Sequence, residues 1–376
     1  MISWDFINKS RKPIGLDIGH HSIRMVQFAA DKSVLQIVAA DKVYIDPEVN
    51  GDEEKKNKSI VSAIRKMLDR GNFYGRDVIS ALPNDKLMIT NLRLSDEHHS
   101  QAPQFLREEA EKRFEFNFED DVVNYMSAGT VQSADKIKNE WILFMAKDDI
   151  VRNHIRVLED AQLRPVSIDA IPCALFRSHR RSLRRQQDKE QNEFFIDIGS
   201  NSTSVVFGRG GKICFIKQIP IGGNKFNQRV AEKLSVNTKE VERLRKTLRE
   251  EKLVDFKPDK GLSEPDSKLR CSIDASTRQV IVDSISAASE ELVKEIALCL
   301  RYYIVTFRGE RVESVVLSGG EAFDNILHNA LKRQLQIEVN IAQPFKGFNL
   351  KNVVFDDDEH DLLCDWAVAV GLAIKN

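Results

Sequence analysis

Apolar residues come in short alternating runs at the start of the chain. Ile14, Leu16 and Ile18 are followed by Val26 and Phe28, then by Val34, Leu35, Ile37 and Val38, with the polar "AADKS" between the later runs. This spacing predicts a hairpin and a third strand. Beyond the acidic break "DPEVNGDEEKKN", Ile60, Val61, Ile64, Met67 and Leu68 recur at helical spacing, and Gly71 stands where that helix would stop. "DVISALP" then reads as a buried strand. Three strands, a helix and a further strand predict a mixed sheet with one face covered.

From Lys86 to about Arg164 the pattern restarts on a smaller scale. "KLMITNLRL" alternates as a strand, "QAPQFLREEAEKRF" is an amphipathic helix, "DVVNYMSAG" and "EWILFMAK" are strands, and "DDIVRNHIRVLEDAQ" is a helix. The expectation is a small α/β unit inserted into the first lobe. "RPVSIDAIPCALFRSHR" returns to that lobe as a strand and a helix. "RRSLRRQQDKEQN" is the hinge or linker candidate, its basic run a solvated helix end in one reading and a phosphate or lipid contact in the other.

A second lobe opens at Glu193. Two strands flank "GRGG", a hairpin signal. Helices follow in "NKFNQRVAEKLS" and "TKEVERLRKTLREEK", then the polar loop "KPDKGLSEPDSK" and the long helix "IVDSISAASEELVKEIALCLRYYIVT". "ESVVLSGGEAFDNILHNAL" is a strand, a glycine turn and a helix, and "DWAVAVGLAI" is a closing helix. The divisions expected are 1–85 and 164–192 for the first lobe and its connecting helix, and 86–163 for the inserted unit. The second lobe divides into 193–221 for its first strands, 222–295 for a helical subdomain and 296–376 for its remaining core.

Composition narrows the function. A chain of 376 residues is long enough for two cores. With 56 basic against 57 acidic residues, no overall field favours nucleic acid or an anionic membrane. Cys173, Cys214, Cys271, Cys299 and Cys364 show no paired spacing, which argues against a disulfide framework or a zinc site and fits a reducing cytoplasm. The longest apolar run, "WAVAVGLAI", is too short to span a bilayer, and no signal peptide opens the chain. A soluble cytoplasmic protein is expected. Trp4, Phe6 and Ile7 ahead of Lys9, Arg11 and Lys12 could form an interfacial anchor, but a strap over the first lobe is the preferred reading.

The candidate chemistry lies in a repeat. An offset of 197 − 17 = 180 residues sets Asp17 on Asp197, Ile18 on Ile198, Gly19 on Gly199, Ser22 on Ser202 and Val26 on Val206. Each copy is strand, Asp-x-Gly, polar turn, strand. Glycine lets backbone amides approach phosphate oxygens, and an aspartate beside each turn can hold Mg²⁺ through water. Two such turns facing each other would clamp one nucleotide between the lobes. In "VVLSGGEAF", Gly319 and Gly320 offer a flat surface and amide donors before a helix, suited to an α-phosphate and an adenine face. The bland alternative is that both aspartates merely cap hairpins.

Taken together these residues resemble the actin-like ATPase superfamily, and within it the PilM family of type IV pilus assembly proteins. The resemblance runs from about Pro13 to Lys375, through "ALPNDKLMITNLRL", "LREEAEKRFEFNFEDDVVNYMSAG", "LEDAQLRPVSIDAIPCAL", "IPIGGNKFNQRVAEKLSVNTKEVERLRK" and "VVLSGGEAF". It implies an actin-like, ribonuclease H-like two-lobe α/β fold with an inserted subdomain like that of the cell-division protein FtsA. It also implies Mg²⁺ on Asp17 and Asp197, and phosphates among Gly19, Gly199, Ser200 and Ser202. Arg24 stands where a lysine often reaches the β-phosphate, Glu242 and Arg245 fall near the ribose, and Gly319, Gly320 and Glu321 border the adenosine. Asp169 has two readings, one orienting an attacking water and one capping a helix. His20 and His21 depart from the small residues usual after the first Asp-x-Gly; pointing outward they would leave the cradle intact or contact phosphate, and pointing inward they would occlude it.

The function implied is a nucleotide-responsive scaffold that binds ATP and Mg²⁺. It would also bind the cytoplasmic N-terminal segment of PilN, an inner-membrane partner, in a groove between the first lobe and the insert. Residues from "DVISALPNDKLMITNLRL" and the helix around Phe105 would form that groove. Contacts with other pilus components and self-association are further expectations, as is a place at the inner membrane's cytoplasmic face through partners. The competing readings are an ATPase or small-molecule kinase on the same fold, and a degenerate scaffold without nucleotide. The heat-shock ATPases, FtsA and the secretion protein GspL are disfavoured, since each carries a C-terminal addition not expected here.

Overall fold

The computed structural model describes residues 10–31, 34–45, 52–95, 102–114, 116–117, 119–133, 136–182, 192–254, 273–307, 312–350 and 363–375. The expected N-terminal strap over residues 1–9, the linker at 183–191 and the loop at 257–268 lie outside the described residues.

The first sheet contains β1 (Ser10–Arg11), β2 (Ile14–Ile18), β3 (Ser22–Asp31), β4 (Val34–Tyr44), β5 (Asp77–Leu82) and β9 (Arg164–Ala170). Its strand order is β4-β3-β2-β5-β9, with β1 also pairing to β3. The strands β4, β3 and β2 run antiparallel, and β5 and β9 join parallel. Helix α1 (Glu53–Arg70) lies between β4 and β5 in sequence. The Asp52 carboxylate caps it by accepting from the amides of Glu54 and Lys55, and the Gly71 amide closes its other end on Met67.

Both faces of this sheet are covered, where the pattern predicts one. Ile14, Leu16, Ile23 and Met25 pack on Ile60, Ile64 and Met67 of α1 and on Val157 and Leu158 of α3 (Asp148–Asp160). On the other face, Val26 and Phe28 meet Trp366, Ala369 and Val370. Helix α3, expected in the inserted unit, therefore belongs by packing to the first lobe. Helical periodicity marks an apolar face without naming the sheet that receives it.

The inserted unit consists of β6 (Met88–Ser95), α2 (Ala102–Arg113), β7 (Val122–Ser133) and β8 (Lys136–Ala146), with strand order β6-β8-β7. Helix α2 covers one face through Leu106 and Ala110 on Leu92, Leu143 and Met145. The other face rests on the second lobe, where Ile142 and Ala128 join Val206, Ile213 and Ile216 in one cluster. At that seam the fully buried Glu140 accepts from Arg93 Nε at 2.7 Å, and Arg93 Nη2 donates to the Tyr302 hydroxyl at 2.6 Å.

The second sheet repeats the first. Its strands are β10 (Asn192–Ile198), β11 (Thr203–Arg209), β12 (Lys212–Ile219), β13 (Ser314–Ser318) and β14 (Glu338–Ile341), in the order β12-β11-β10-β13-β14. Strand β14 carries only four residues and a weak pattern, and it extends the sheet beyond the elements expected. Helices α5 (Gly223–Leu234), α6 (Thr238–Val254), α7 (Ala275–Phe307) and α8 (Asn325–Leu335) share one core with this sheet. A separate helical subdomain ending at 295 is not seen, because α7 runs unbroken through that position.

Helix α4 (Ile171–Ser182) and helix α9 (Ala367–Ala373) pack against each other between the two sheets. A side chain at Gly371 would strike the Ala174 carbonyl, so only glycine permits this crossing. Among the described residues, no helix is long and apolar enough to cross a membrane.

Candidate functional site

Asp17 and Asp197 occupy matching places at the ends of β2 and β10. In each hairpin the glycine amide closes the turn, Gly19 onto the Ser22 carbonyl and Gly199 onto the Ser202 carbonyl, both at 3.0 Å. Both carboxylates lie on the faces that receive the connecting helices. Burial pushes the Asp17 carboxyl up to about 6, opposed by Arg24 and reinforced by the negative charge of Asp197 and Asp365. Burial also raises Asp197, while Ser318 Oγ donates to its Oδ1 at 2.9 Å and Arg24 lowers it. The repeat thus brings both acids to one electrostatic site.

Hairpin register extends each aspartate into a row. In the first sheet Asp17 pairs with Arg24, and Arg24 with Lys42. In the second, Asp197 pairs with Ser204, and Ser204 with Gln218. A residue distant in sequence clasps each row. Asp365, in the 3-10 turn Cys364–Trp366, accepts through Oδ2 from Arg24 Nε at 3.1 Å, from Arg24 Nη2, and from Lys42 Nζ at 3.2 Å. Burial alone would raise its carboxyl, but the two cations hold it below the usual range. Asn84, just after β5, clasps the second row. Its Nδ2 donates to Ser204 Oγ at 2.9 Å and Ser202 Oγ at 3.3 Å. Gln218 Nε2 in turn donates to the Asn84 carbonyl and side-chain oxygen, both at 3.2 Å.

Arg24, expected at a β-phosphate, is spent instead within the site. Besides Asp365 it reaches Asp17, Nη1 to Oδ2 at 3.5 Å. His20 points toward the second turn, with Nδ1 3.5 Å from Asn201 Nδ2, so the turn tips touch through the departure from the family pattern. Burial, with the neighbouring His21 and the Lys56 ammonium, lowers the His20 imidazole to about 4. It is therefore neutral at physiological pH.

The adenosine side is also tied up internally. Arg245 is 4% exposed and donates to Glu321 Oε2 at 2.6 Å, Asp324 Oδ2 at 3.0 Å and Asn227 Oδ1 at 2.7 Å. Asn227 Nδ2 reaches Glu242 Oε1 at 3.4 Å. The expected ribose residues Glu242 and Arg245 thus form one network with Glu321 and Asp324. Gly319 has φ +88, and a side chain there would hit the Ile198 carbonyl, so the turn passes directly over β10. A side chain at Gly320 would meet nothing within 4 Å. The helix beyond begins only at Asn325, capped by Asp324, so its N-terminal amides are not adjacent to the glycine pair as expected.

Asp169 does not cap α4. Its Oδ1 accepts from the Ala170 amide at 2.8 Å, short of a helix cap, while its Oδ2 meets Arg177 and Lys375 Nζ, the latter at 3.2 Å. It binds cations at the far end of α9 from Asp365. Among the described residues no group of three or more His, Cys, Asp and Glu is placed to hold a metal.

Solved structures share this architecture across nearly the whole chain, among them the following two. The "PilM-PilN type IV pilus biogenesis complex" aligns with TM-score 0.71 at 18% identity, covering 96% of this chain and 97% of that chain. The ethanolamine utilization protein EutJ from Carboxydothermus hydrogenoformans aligns with TM-score 0.53 at 14% identity, covering 97% and 90%. At these identities the likenesses establish the fold, which is actin-like. No curated protein matches the chain significantly in sequence. The family model described as type IV pilus assembly protein PilM matches residues 15–252 and 282–376, and the chain belongs to that family.

Proposed function

We propose that this chain is a nucleotide-responsive scaffold of a type IV pilus machine. It holds Mg-ATP between the Asp17 and Asp197 turns and binds the N-terminal cytoplasmic segment of a PilN-like inner-membrane protein between its first lobe and insert. That partner would place it at the cytoplasmic face of the inner membrane. The observation that carries the nucleotide reading is the shared site of Asp17, which is buried, and Asp197, which is half-buried, with both carboxyls raised. With Asp365 they set three carboxylates against the cations Arg24 and Lys42, an arrangement with room for further positive charge. Open space over Gly320 fits the base.

Mg²⁺ would neutralise the phosphates when bound. Asp17 and Asp197 would hold it, the hydroxyls of Ser200 and Ser202 would donate to phosphate oxygens, and Gly319, Gly320 and Glu321 would border the adenosine. Asp169, the candidate for orienting an attacking water, is ion-paired with Arg177 and Lys375. The partner reading rests on family membership and on the fold this chain shares with the PilM-PilN complex.

A scaffold without nucleotide is the second reading, favoured by the contact of His20 with Asn201 and by the Arg245–Glu321 network. Calorimetry with Mg-ATP on the wild type and on Asp197→Ala separates the two. Micromolar binding lost in the variant supports the first; no heat from either supports the second. Capture of the chain by a PilN-like cytoplasmic peptide tests the partner independently.

A further inference from the structure

We infer that Asn84 couples the second phosphate turn to the inserted unit, an inference that rests on the nucleotide reading proposed above. Asn84 opens the 3-10 turn Asn84–Lys86 that joins β5 of the first lobe to β6 of the insert. Its carboxamide is engaged at both ends by the second lobe: Nδ2 by Ser202 and Ser204, Oδ1 by Gln218. Ser204 is fully buried and directly opposite Asp197 in the hairpin. One side chain therefore links the start of the insert to the turn that would receive a phosphate.

Hydroxyl chemistry sets the direction of the coupling. Ser202 Oγ has one proton to donate and two lone pairs to accept with. Asn84 uses a lone pair, at the loose distance of 3.3 Å, so the Ser202 proton can still go to an anionic oxygen. Donation to phosphate polarises the hydroxyl and strengthens the bond it accepts, so the two contacts reinforce each other. Phosphate at the turn thereby fixes Asn84, and with it the first residues of β6. By linkage, a partner bound to the insert tightens nucleotide by the same factor.

The test is amide hydrogen exchange with and without Mg-ATP on the wild type, Asn84→Ala and Gln218→Ala. The last removes the donor that holds the carboxamide, and it keeps the test decisive if Asn84→Ala does not fold. In the wild type, exchange across β6 and β8 should slow about fivefold with Mg-ATP, at the lower end of known couplings. In the variants, protection should stay at the two turns and Gly319–Gly320 without reaching β6 and β8, and Mg-ATP affinity should fall by no more than the same fivefold. Equal insert protection in wild type and variants, or none in a wild type that binds Mg-ATP, overturns the coupling alone. No Mg-ATP binding by the wild type overturns the nucleotide reading and the coupling with it.

Discussion

Asp365 holds Arg24 across 341 positions of sequence, and the same carboxylate oxygen also receives Lys42. The three side chains are between 10% and 14% exposed, so water solvates them little. Removing the carboxylate would leave two cations facing each other without the oxygen they share. Asp365→Asn is therefore expected to cost about 2–3 kcal/mol, below the full value of a broken buried pair because some solvent reaches the site. Urea titration should show a lower midpoint at unchanged slope.

Arg245 is a dense charge contact in the second lobe. Its guanidinium serves Glu321, Asp324 and Asn227 at once, a fork that an ammonium does not reproduce. Arg245→Lys should cost about 2 kcal/mol, and Arg245→Ala about 3–5 kcal/mol because two acids lose the buried cation between them. Thermal unfolding of the three proteins side by side checks the order.

Glu193 should make stability depend on pH. It is buried at the start of β10, with no hydrogen bond to either carboxylate oxygen among the described residues and Arg180 Nε 3.7 Å away. Burial pushes its carboxyl up from 4.5 to about 7, against the pull of Arg180. The folded state thus binds this proton more tightly than the unfolded state. The contribution of Glu193 is most favourable below about pH 4.5 and falls as pH rises toward 7. Glu193→Gln is expected to unfold later than wild type at pH 8, with the advantage shrinking at pH 5. Asp17 and Asp197 titrate with the same sign in both proteins, so the difference isolates Glu193. Calorimetric melting at the two pH values is the measurement.

Gly371→Ala tests the crossing of α4 and α9. The added methyl would overlap the Ala174 backbone, which cannot rotate away as a side chain could. A loss of about 3 kcal/mol or more is expected. Retention of the wild-type melting temperature would show that the helices separate freely.

The aspartate pair is legible in the sequence because each acid sits in a local pattern, strand, Asp-x-Gly, strand, that recurs intact. The hairpins, α1, the inserted sheet and the long α7 are legible for the same reason, each written in contiguous periodicity. Asp365 and Asn84 carry no such mark. Each is one polar residue in a short turn, and its role arises only when the chain returns from 341 or 120 positions away. The tasks of Arg24 and Arg245 are hidden for a related reason. Residue type and position reveal a cation facing the cleft, but the acid that captures it comes from another element. Placing α3 depends likewise on a partner surface its own residues do not name.

The bare contact at Gly371 has a mechanical consequence. Where two helix backbones touch without intervening side chains, the halves of the molecule share a fulcrum. Rotation about that point would leave the joint itself nearly still.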